Sequence, residues 1–168
     1  MKVFIIAAIT LDGFIGRDAS QISIDWTSPE DSKMYRQITR EAGITIYGSR
    51  TFDTIMRGLP GRKTIVITSH PETYANIDNV EATSDSPAEI IRRLKEEGQE
   101  QVAVCGGASI YYQFLQAGLV DELYITVEPL LFGNGVSLIG DKLETKLELL
   151  EVKHLNENTL QLFYKVLK

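Results

Sequence analysis

The sequence contains one cysteine, Cys105, and only two histidines, His70 and His154. A single cysteine excludes an internal disulfide framework and fits a reducing compartment, so we expect a cytoplasmic protein. Two histidines and one cysteine are too few for the usual zinc ligand sets, and we expect no metal site. Nucleophilic hydrolysis is also disfavoured, because no serine or cysteine constellation surrounds either histidine.

Positive charge and long apolar segments are scarce as well. The 17 lysines and arginines are outnumbered by 23 acids, and the net charge is −6. Nucleic acids bind basic surfaces, so we expect no nucleic-acid partner. No run approaches the roughly 18 apolar residues that span a membrane, and we expect no membrane association. Small molecules remain as the expected ligands.

Strand-like and helix-like segments alternate along the 168 residues without a linker or repeat. This length predicts one domain covering residues 1–168. The last two strands are expected to form a hairpin around residues 156–158. The predicted strands are VFIIAAI, ITIY, KTIVITS, QVAVC, DELYITVEPLL, KLELLEVKHL and TLQLFYKVL.

Two helices begin with clear capping signals. Ser28 is followed by proline, and Ser86 starts a capping box with Glu89. Glycine-containing turns are expected to open two further helices. The four predicted spans are 28–43, 48–56, 86–98 and 106–118.

This order of elements predicts an α/β fold with a mostly parallel central sheet and an antiparallel C-terminal edge. Ligands of such sheets bind at the carboxyl ends of the parallel strands. The loops at those ends read LDGFIG, YGSRT, TSHP and CGGAS. We therefore expect the binding site to lie among them.

Asp31, the third residue of the first predicted helix, is the most informative acid. One interpretation is ordinary, because a carboxylate in the first turn faces unpaired N–H groups and the positive end of the helix dipole. However, Met34, Tyr35 and Ile38 follow at spacings of three, four and seven residues, which places Asp31 on the apolar face. An inward acid without a cation has a raised pKa and can bind two adjacent N–H donors of a ligand. Asp31 is therefore also a candidate for proton transfer.

Three turns after strands share features that suit a phosphate group. YGSRT, TSHP and CGGAS place hydroxyl groups, and in one case Arg50, where helix N-termini are expected. Gly106 and Gly107 would let the backbone approach a ligand closely, because they have no Cβ atom. Close packing of a helix on a strand would also require glycine, so both interpretations stay open.

Three other residues have two interpretations each. Trp26 either covers the entrance of the first helix or faces a ligand. Arg62, in a Pro-Gly turn, is either solvated or binds a carboxylate with its planar guanidinium group. Cys105 ends an apolar strand, and a small core residue is expected there rather than a nucleophile.

The motifs occur in a characteristic order. They are IIAAITLDGFIG, the W-x4-D of WTSPED, YGSRTF, LPGRK, IVITS, VCGGASIYYQFL and LYITVEP. In this order and spacing they resemble dihydrofolate reductase over almost the whole chain. The segment VDELYITVEPLLFGNG also resembles the related reductase domain of riboflavin biosynthesis.

The resemblance implies the three-layer dihydrofolate reductase-like fold, with helices on both faces of the sheet. It implies NADPH as cofactor, and a possible homodimer because the most similar members form dimers. Asp31 would hold the amino group and ring N–H of the pterin and promote protonation of its imine nitrogen. Hydride would then pass from the nicotinamide to the adjacent carbon.

Other roles are carried over from the family in the same way. Arg62 would bind the glutamate-tail carboxylate of folate. The remaining implied substrate contacts are Ile6, Ala8, Tyr35 and Thr126. The implied cofactor contacts are Ala8, Ile15, Gly16, Trp26, Gly48, Arg50, Thr51, Thr68, Ser69, Gly106, Gly107, Ala108, Ser109, Ile110 and Tyr111.

The chain departs from the family pattern at two positions that bear on cofactor choice. Ser49 and Ser109 stand where family members often have basic residues, so a preference for NADPH over NADH depends on Arg50, with Lys63 and His70 as further candidates near it. In the first loop, Asp12-Gly13 is similar to the riboflavin-pathway reductases, which act on a ribosylated or ribitylated diaminopyrimidine.

The leading hypothesis is NADPH-dependent reduction of 7,8-dihydrofolate to 5,6,7,8-tetrahydrofolate, which Asp31, Trp26 and Arg62 favour. The alternatives are a riboflavin-pathway reductase and a related reductase of another heterocycle. A third class is a catalytically silent nucleotide-binding module, which would keep the glycine turns without requiring Asp31.

Overall fold

The computed structural model describes residues 1–21 and 23–168. The strands within these residues are β1 (Lys2–Thr10), β2 (Phe14–Gly16), β3 (Ile44–Gly48), β4 (Lys63–Ile67), β5 (Val80–Thr83), β6 (Gln101–Gly106), β7 (Glu122–Glu128), β8 (Val136–Ser137), β9 (Lys146–His154) and β10 (Leu160–Leu167). The α-helices are α1 (Pro29–Ala42), α2 (Ser49–Phe52), α3 (Pro87–Glu96) and α4 (Ala108–Gln116). Short 3₁₀ turns cover Ser23–Asp25 and Pro71–Tyr74.

Eight of the described strands form one sheet in the order β5-β4-β3-β6-β1-β7-β10-β9. All pairs from β5 to β7 are parallel, whereas β10 is antiparallel to both β7 and β9. The predicted mostly parallel sheet with an antiparallel C-terminal hairpin is therefore confirmed. The continuous apolar run of β1 explains its central position, because Val3 to Ala7 are buried between helices on the two faces.

Helices cover both faces of the sheet, as predicted. On one face, Ala42 of α1 and Phe52 of α2 pack with Phe4 and Val66 of the strands. On the other face, α3 and α4 contribute a second apolar cluster that includes Ile90 and Phe114. None of the helices in the described part of the chain is long and apolar enough to cross a membrane.

The predicted capping signals operate in the structure. The Ser28 hydroxyl accepts a hydrogen bond from the Asp31 N–H, and α1 ends at Gly43, whose φ of 73° is left-handed. Ser86 and Glu89 form the reciprocal capping box of α3. Fixing both ends of α1 matters for the site, because Asp31 lies in its first turn.

Two predicted boundaries were wrong by more than two residues, for local reasons. The second helix ends at Phe52 rather than near Met56. There, the Thr54 hydroxyl donates to the Thr51 carbonyl at 2.7 Å and competes with helical bonding. β7 stops at Glu128 instead of continuing to residue 131, because Pro129 has no N–H to donate to a neighbouring strand.

Three short strands were not predicted. β5 is only four residues long and mixes polar and apolar side chains, so its periodicity is weak. β2 and β8 pair only with each other and are separated by more than 100 residues of chain. Such a pair depends on how the fold brings the two loops together, and local sequence does not encode it.

Candidate active site

A cleft of about 1190 Å³ opens at the carboxyl ends of β1, β3, β4 and β6, where the sequence predicted a binding site. Below, this space is called the cleft. Most of the predicted site residues line it. They are Ile6, Ala8, Ile15, Gly16, Asp31, Tyr35, Gly48, Arg50, Thr51, Thr68, Ser69, Gly106, Gly107, Ala108, Ser109, Ile110 and Tyr111.

Asp31 is half-buried on the wall of the cleft, which agrees with its predicted place on the inner face of α1. Burial raises the pKa of its carboxyl group above the ordinary value of 3.8. Hydrogen bonds from the hydroxyls of Thr126 and Thr27 act in the opposite direction, and the nearby charge of Glu128 raises the pKa further. The result is an oriented acid that retains its proton to higher pH than an exposed aspartate does.

Beside Asp31, the wall of the cleft carries a cluster of neutral polar groups. The hydroxyls of Tyr35 and Tyr47 form a hydrogen bond with each other and lie against the thiol of Cys105. Burial raises the pKa of Cys105 to about 11 and places the pKa values of both tyrosines well above 10. All three groups are therefore neutral at physiological pH, and the thiol is not an activated nucleophile.

The glycines of the cleft allow neighbouring elements of the fold to pack closely against each other. A Cβ atom on Gly107 would lie 2.8 Å from the Thr51 hydroxyl oxygen, and one on Gly48 would lie 2.8 Å from Ile110. Gly106 has a φ of 118°, and its peptide bond to Gly107 is cis. The packing interpretation of the glycine turn is therefore supported. These residues also line the cleft, and their contact with a ligand stays a prediction.

Helices α2 and α4 begin at glycine N-caps, Gly48 and Gly107, that make no side-chain capping bond. By contrast, α1 and α3 are capped by serine hydroxyls. The first-turn N–H groups of α4 are therefore open toward the cleft, where an anionic group would satisfy them. Binding of the phosphate groups of a dinucleotide at this turn stays a prediction.

The other predicted phosphate-binding groups lie in α2 and just after β4. Arg50 is exposed in α2, and no ion pair of Arg50 occurs among the described residues. Thr68 and Ser69 lie at the end of β4, and the Thr68 hydroxyl accepts a hydrogen bond from the His70 N–H at 3.1 Å. Lys63 is instead bound to Glu81 at 2.5 Å.

Three predicted site residues do not line the cleft in the described structure. Thr126 is buried behind it and touches the Asp31 carboxyl group through its hydroxyl. Trp26 packs edge-on against Phe132, with ring centroids 5.2 Å apart. Its ligand-facing role stays a prediction.

Arg62 is the third of these residues. Its guanidinium group is buried and donates to the Thr39 hydroxyl and to the carbonyl of Pro60 at 3.2 Å. The predicted role of this group in binding a carboxylate stays a prediction.

Sequence reasoning missed several polar residues of the cleft. Arg36 and Arg57 both line it, as do Ser32 and Thr54. Arg36 follows Asp31 by five residues, a spacing that turns it away from the acid on an ideal helix, so periodicity favoured a solvated position. Arg57 lies in an irregular segment after α2, where no periodic pattern indicates the direction of a side chain.

Asp12 has a structural role that its motif did not reveal. Its carboxylate accepts hydrogen bonds from the N–H groups of Phe132 and Gly133, at 3.2 and 2.7 Å, and from the Thr10 hydroxyl at 2.6 Å. These bonds join the loop after β1 to the loop after β7. Asp12 therefore has a structural role in this chain that does not depend on the substrate.

Comparison with known sequences identifies the family. The profile of the dihydrofolate reductase family matches residues 2–131. The dihydrofolate reductase of Bacillus subtilis is 32% identical over 121 residues, which cover 72% of this chain and 66% of that protein. The uncharacterized B. subtilis protein YwjB is 27% identical over 172 residues, which cover 97% of both chains.

Comparison with solved structures supports the same fold. A pyrimidine reductase-like protein from Corynebacterium diphtheriae superposes with a TM-score of 0.79 at 20% identity, covering 99% of this chain and 92% of that chain. The motifs, the sheet order and the profile match over most of the sequence point to one superfamily of reductases. The chain belongs to the dihydrofolate reductase family.

Proposed function

We propose that the protein catalyses the NADPH-dependent reduction of 7,8-dihydrofolate to 5,6,7,8-tetrahydrofolate. The observation that carries this proposal is Asp31, a half-buried acid with a raised pKa in the same cleft as the glycine turn. A silent nucleotide-binding module would need the glycines but would gain nothing from a carboxylate held in this way.

In the proposed reaction, the chain positions the reactants and supplies an acidic group, Asp31, that promotes protonation of the substrate. The Asp31 carboxylate would accept hydrogen bonds from adjacent N–H donors of the heterocycle, and Thr126 and Thr27 would hold its orientation. Gly106, Gly107 and the open N-terminus of α4 would hold the cofactor phosphates. NADPH, when bound, supplies the hydride.

The second candidate is a riboflavin-pathway reductase acting on a ribosylated diaminopyrimidine. The position of Arg62 favours this candidate, because its guanidinium group is already bound to Thr39 and Pro60 and does not line the cleft. Arg36 and Arg57 line the cleft instead and would suit an anionic substrate of either class. The structural similarity to a pyrimidine reductase-like protein is compatible with this alternative.

The two candidates are separated by following NADPH oxidation with each substrate in turn. We expect steady turnover with 7,8-dihydrofolate and little with the ribosylated diaminopyrimidine. The opposite result would replace the leading proposal by the second. Binding of NADPH without oxidation in the presence of either substrate would favour the silent module.

Arg50→Ala should weaken NADPH binding about tenfold and NADH binding much less. The physical reason is that only NADPH carries a 2′-phosphate, and one charge-assisted hydrogen bond to such a group contributes about 1.5–3 kcal/mol. Dissociation constants from fluorescence titration would measure both effects, with Arg50→Lys as the charge-conserving control. Equal losses for both cofactors would remove Arg50 from this role.

We also propose that the protein forms a homodimer through the sheet edge at β9. Leu147, Leu149 and Val152 are 40%, 51% and 45% exposed on this terminal strand. They pair with Val166, Tyr164 and Leu162 of β10. Val166 and Tyr164 belong to one of the two core clusters. The exposed side chains of Leu147, Leu149 and Val152 therefore continue the apolar face of the sheet onto its edge strand, where the described residues leave it uncovered.

Leu149→Glu should shift the protein from dimer to monomer, because burying an unpaired carboxylate in an apolar interface is costly. Light scattering after size-exclusion chromatography would measure the change. Leu131→Glu is the matched control, since Leu131 is 70% exposed and lies in the loop after β7, outside the strands of the sheet. A wild-type protein that is monomeric at micromolar concentration would contradict the dimer.

A further inference from the structure

Glu128, the last residue of β7, is a buried carboxylate that the proposed reaction does not use. Only 3% of its surface is exposed. One carboxylate oxygen accepts hydrogen bonds from the Ser28 N–H at 2.7 Å and the Ser28 hydroxyl at 2.8 Å. The other accepts a hydrogen bond from the Thr159 hydroxyl at 3.0 Å. No cation pairs with Glu128 in the part of the chain that the structure describes.

The contact with Ser28 links Glu128 to Asp31. Ser28 is the N-cap of α1, and its hydroxyl oxygen accepts a hydrogen bond from the Asp31 N–H at 3.2 Å. Because the hydroxyl proton of Ser28 is given to Glu128, a lone pair of its oxygen is left to face the Asp31 N–H. Glu128 thereby fixes the rotamer of the cap and, with it, the first turn of α1.

The charge of Glu128 also acts on the cleft. The titratable groups that face Asp31 in the described structure are Glu128 from β7 and the neutral Tyr111 from α4. Glu30, the neighbouring acid on α1, is exposed and hydrogen-bonded to the side-chain amide of Asn156 at 3.2 Å. A second negative charge held in a water-poor position disfavours ionisation of its neighbour, and the pKa of Asp31 is raised in part by this charge.

We propose that Glu128 is a positioning residue for Asp31: it orients Ser28, and so the first turn of α1, and places a fixed negative charge beside the acid. The inference rests on the proposed reductase function for its kinetic consequence, but its structural part does not depend on the substrate. This role would explain why a carboxylate is kept at a buried position, where burying a charge lowers the free energy of unfolding.

The test is Glu128→Gln, which keeps the shape and one acceptor oxygen but removes the charge. Without that charge, Asp31 should lose its proton at lower pH. The pH midpoint above which turnover declines should therefore move downward, and turnover above it should fall at least about threefold. At pH values below both midpoints, the variant should turn over at nearly the wild-type rate. Glu128→Leu, which also removes the acceptor for Ser28, should lower turnover across the whole range.

Glu122→Gln is the matched control, because Glu122 is on the same strand but pairs with Lys2 at 3.3 Å, away from the cleft. It should leave the midpoint unchanged. The ionisation of Asp31 can be followed separately by carbon NMR of labelled aspartate in the substrate-free protein, so the inference stays testable if neither substrate is reduced. An unchanged Asp31 titration in folded Glu128→Gln, or an equal shift in Glu122→Gln, would overturn it.

Discussion

Asp31→Asn should reduce turnover by about 10²- to 10⁴-fold, the range typical of a lost acid–base group. Asparagine keeps the size of the side chain, but it presents one carbonyl oxygen where the carboxylate presents two. It also cannot gain or lose a proton near neutral pH. NADPH affinity should stay within about twofold of the wild type, because the glycine turn and the N-terminus of α4 are untouched. Steady-state kinetics and fluorescence titration measure the two effects separately.

Glu30→Gln is the control for this experiment. It removes the adjacent first-turn acid, which is exposed and does not line the cleft. Turnover of that variant should stay close to the wild-type value. If Asp31→Asn kept more than a tenth of wild-type turnover, the assignment of Asp31 as the catalytic acid would fail.

Asp31→Asn should also stabilise the folded protein at neutral pH. The pKa of Asp31 is higher in the folded chain than its ordinary value of 3.8, so the folded state binds more protons between these two pKa values. The free energy of unfolding therefore declines as pH rises from 3.8 to the raised pKa of the folded state. Above that range, the folded protein stays less stable by the same amount. Asp31→Asn removes this loss of stability. Its melting temperature should exceed that of the wild type at neutral pH and approach it near pH 3, below that range.

Gly106→Ala should weaken both cofactor binding and folding. The φ of Gly106 is 118°, which alanine adopts only with strain of about 1–3 kcal/mol. A Cβ atom would also lie 3.0 Å from the hydroxyl oxygen of Tyr111. That hydroxyl cannot retreat freely, because Tyr111 is buried and donates to the Ile6 carbonyl at 3.0 Å. We expect a lower melting temperature and NADPH affinity reduced more than tenfold.

Gly98→Ala separates backbone strain from damage to the site. Gly98 follows α3 with a φ of 77°, and a Cβ atom there would meet nothing within 4 Å. This control should cost about 1 kcal/mol of unfolding free energy and leave NADPH affinity unchanged. A folded Gly106→Ala protein with wild-type NADPH affinity would contradict the role of the glycine turn in cofactor binding.

Much of the fold could be predicted because its signals are local and periodic. The apolar run of β1 predicted a strand covered on both faces, and the serine caps at Ser28 and Ser86 marked helix starts that the structure confirms. The helical spacing between Asp31 and Tyr35 predicted an inward acid, and Asp31 lies on the wall of the cleft. Each of these inferences needed only neighbouring residues and the period of one element.

The surroundings of these residues depended on contacts between distant parts of the chain. Glu128 reaches Ser28 across 100 positions and Thr159 across 31 positions, and no periodic pattern connects them. Arg62 was predicted at a turn, but only the packed fold shows that Thr39 binds its guanidinium group. By itself, the sequence determined the order of the four α-helices and of the seven longer strands, the edge of the sheet where the cleft lies and the place of Asp31 on the inner face of α1. The tertiary structure decided which charge lies beside that acid and which arginines line the cleft, because burial and electrostatic interaction depend on distances in space.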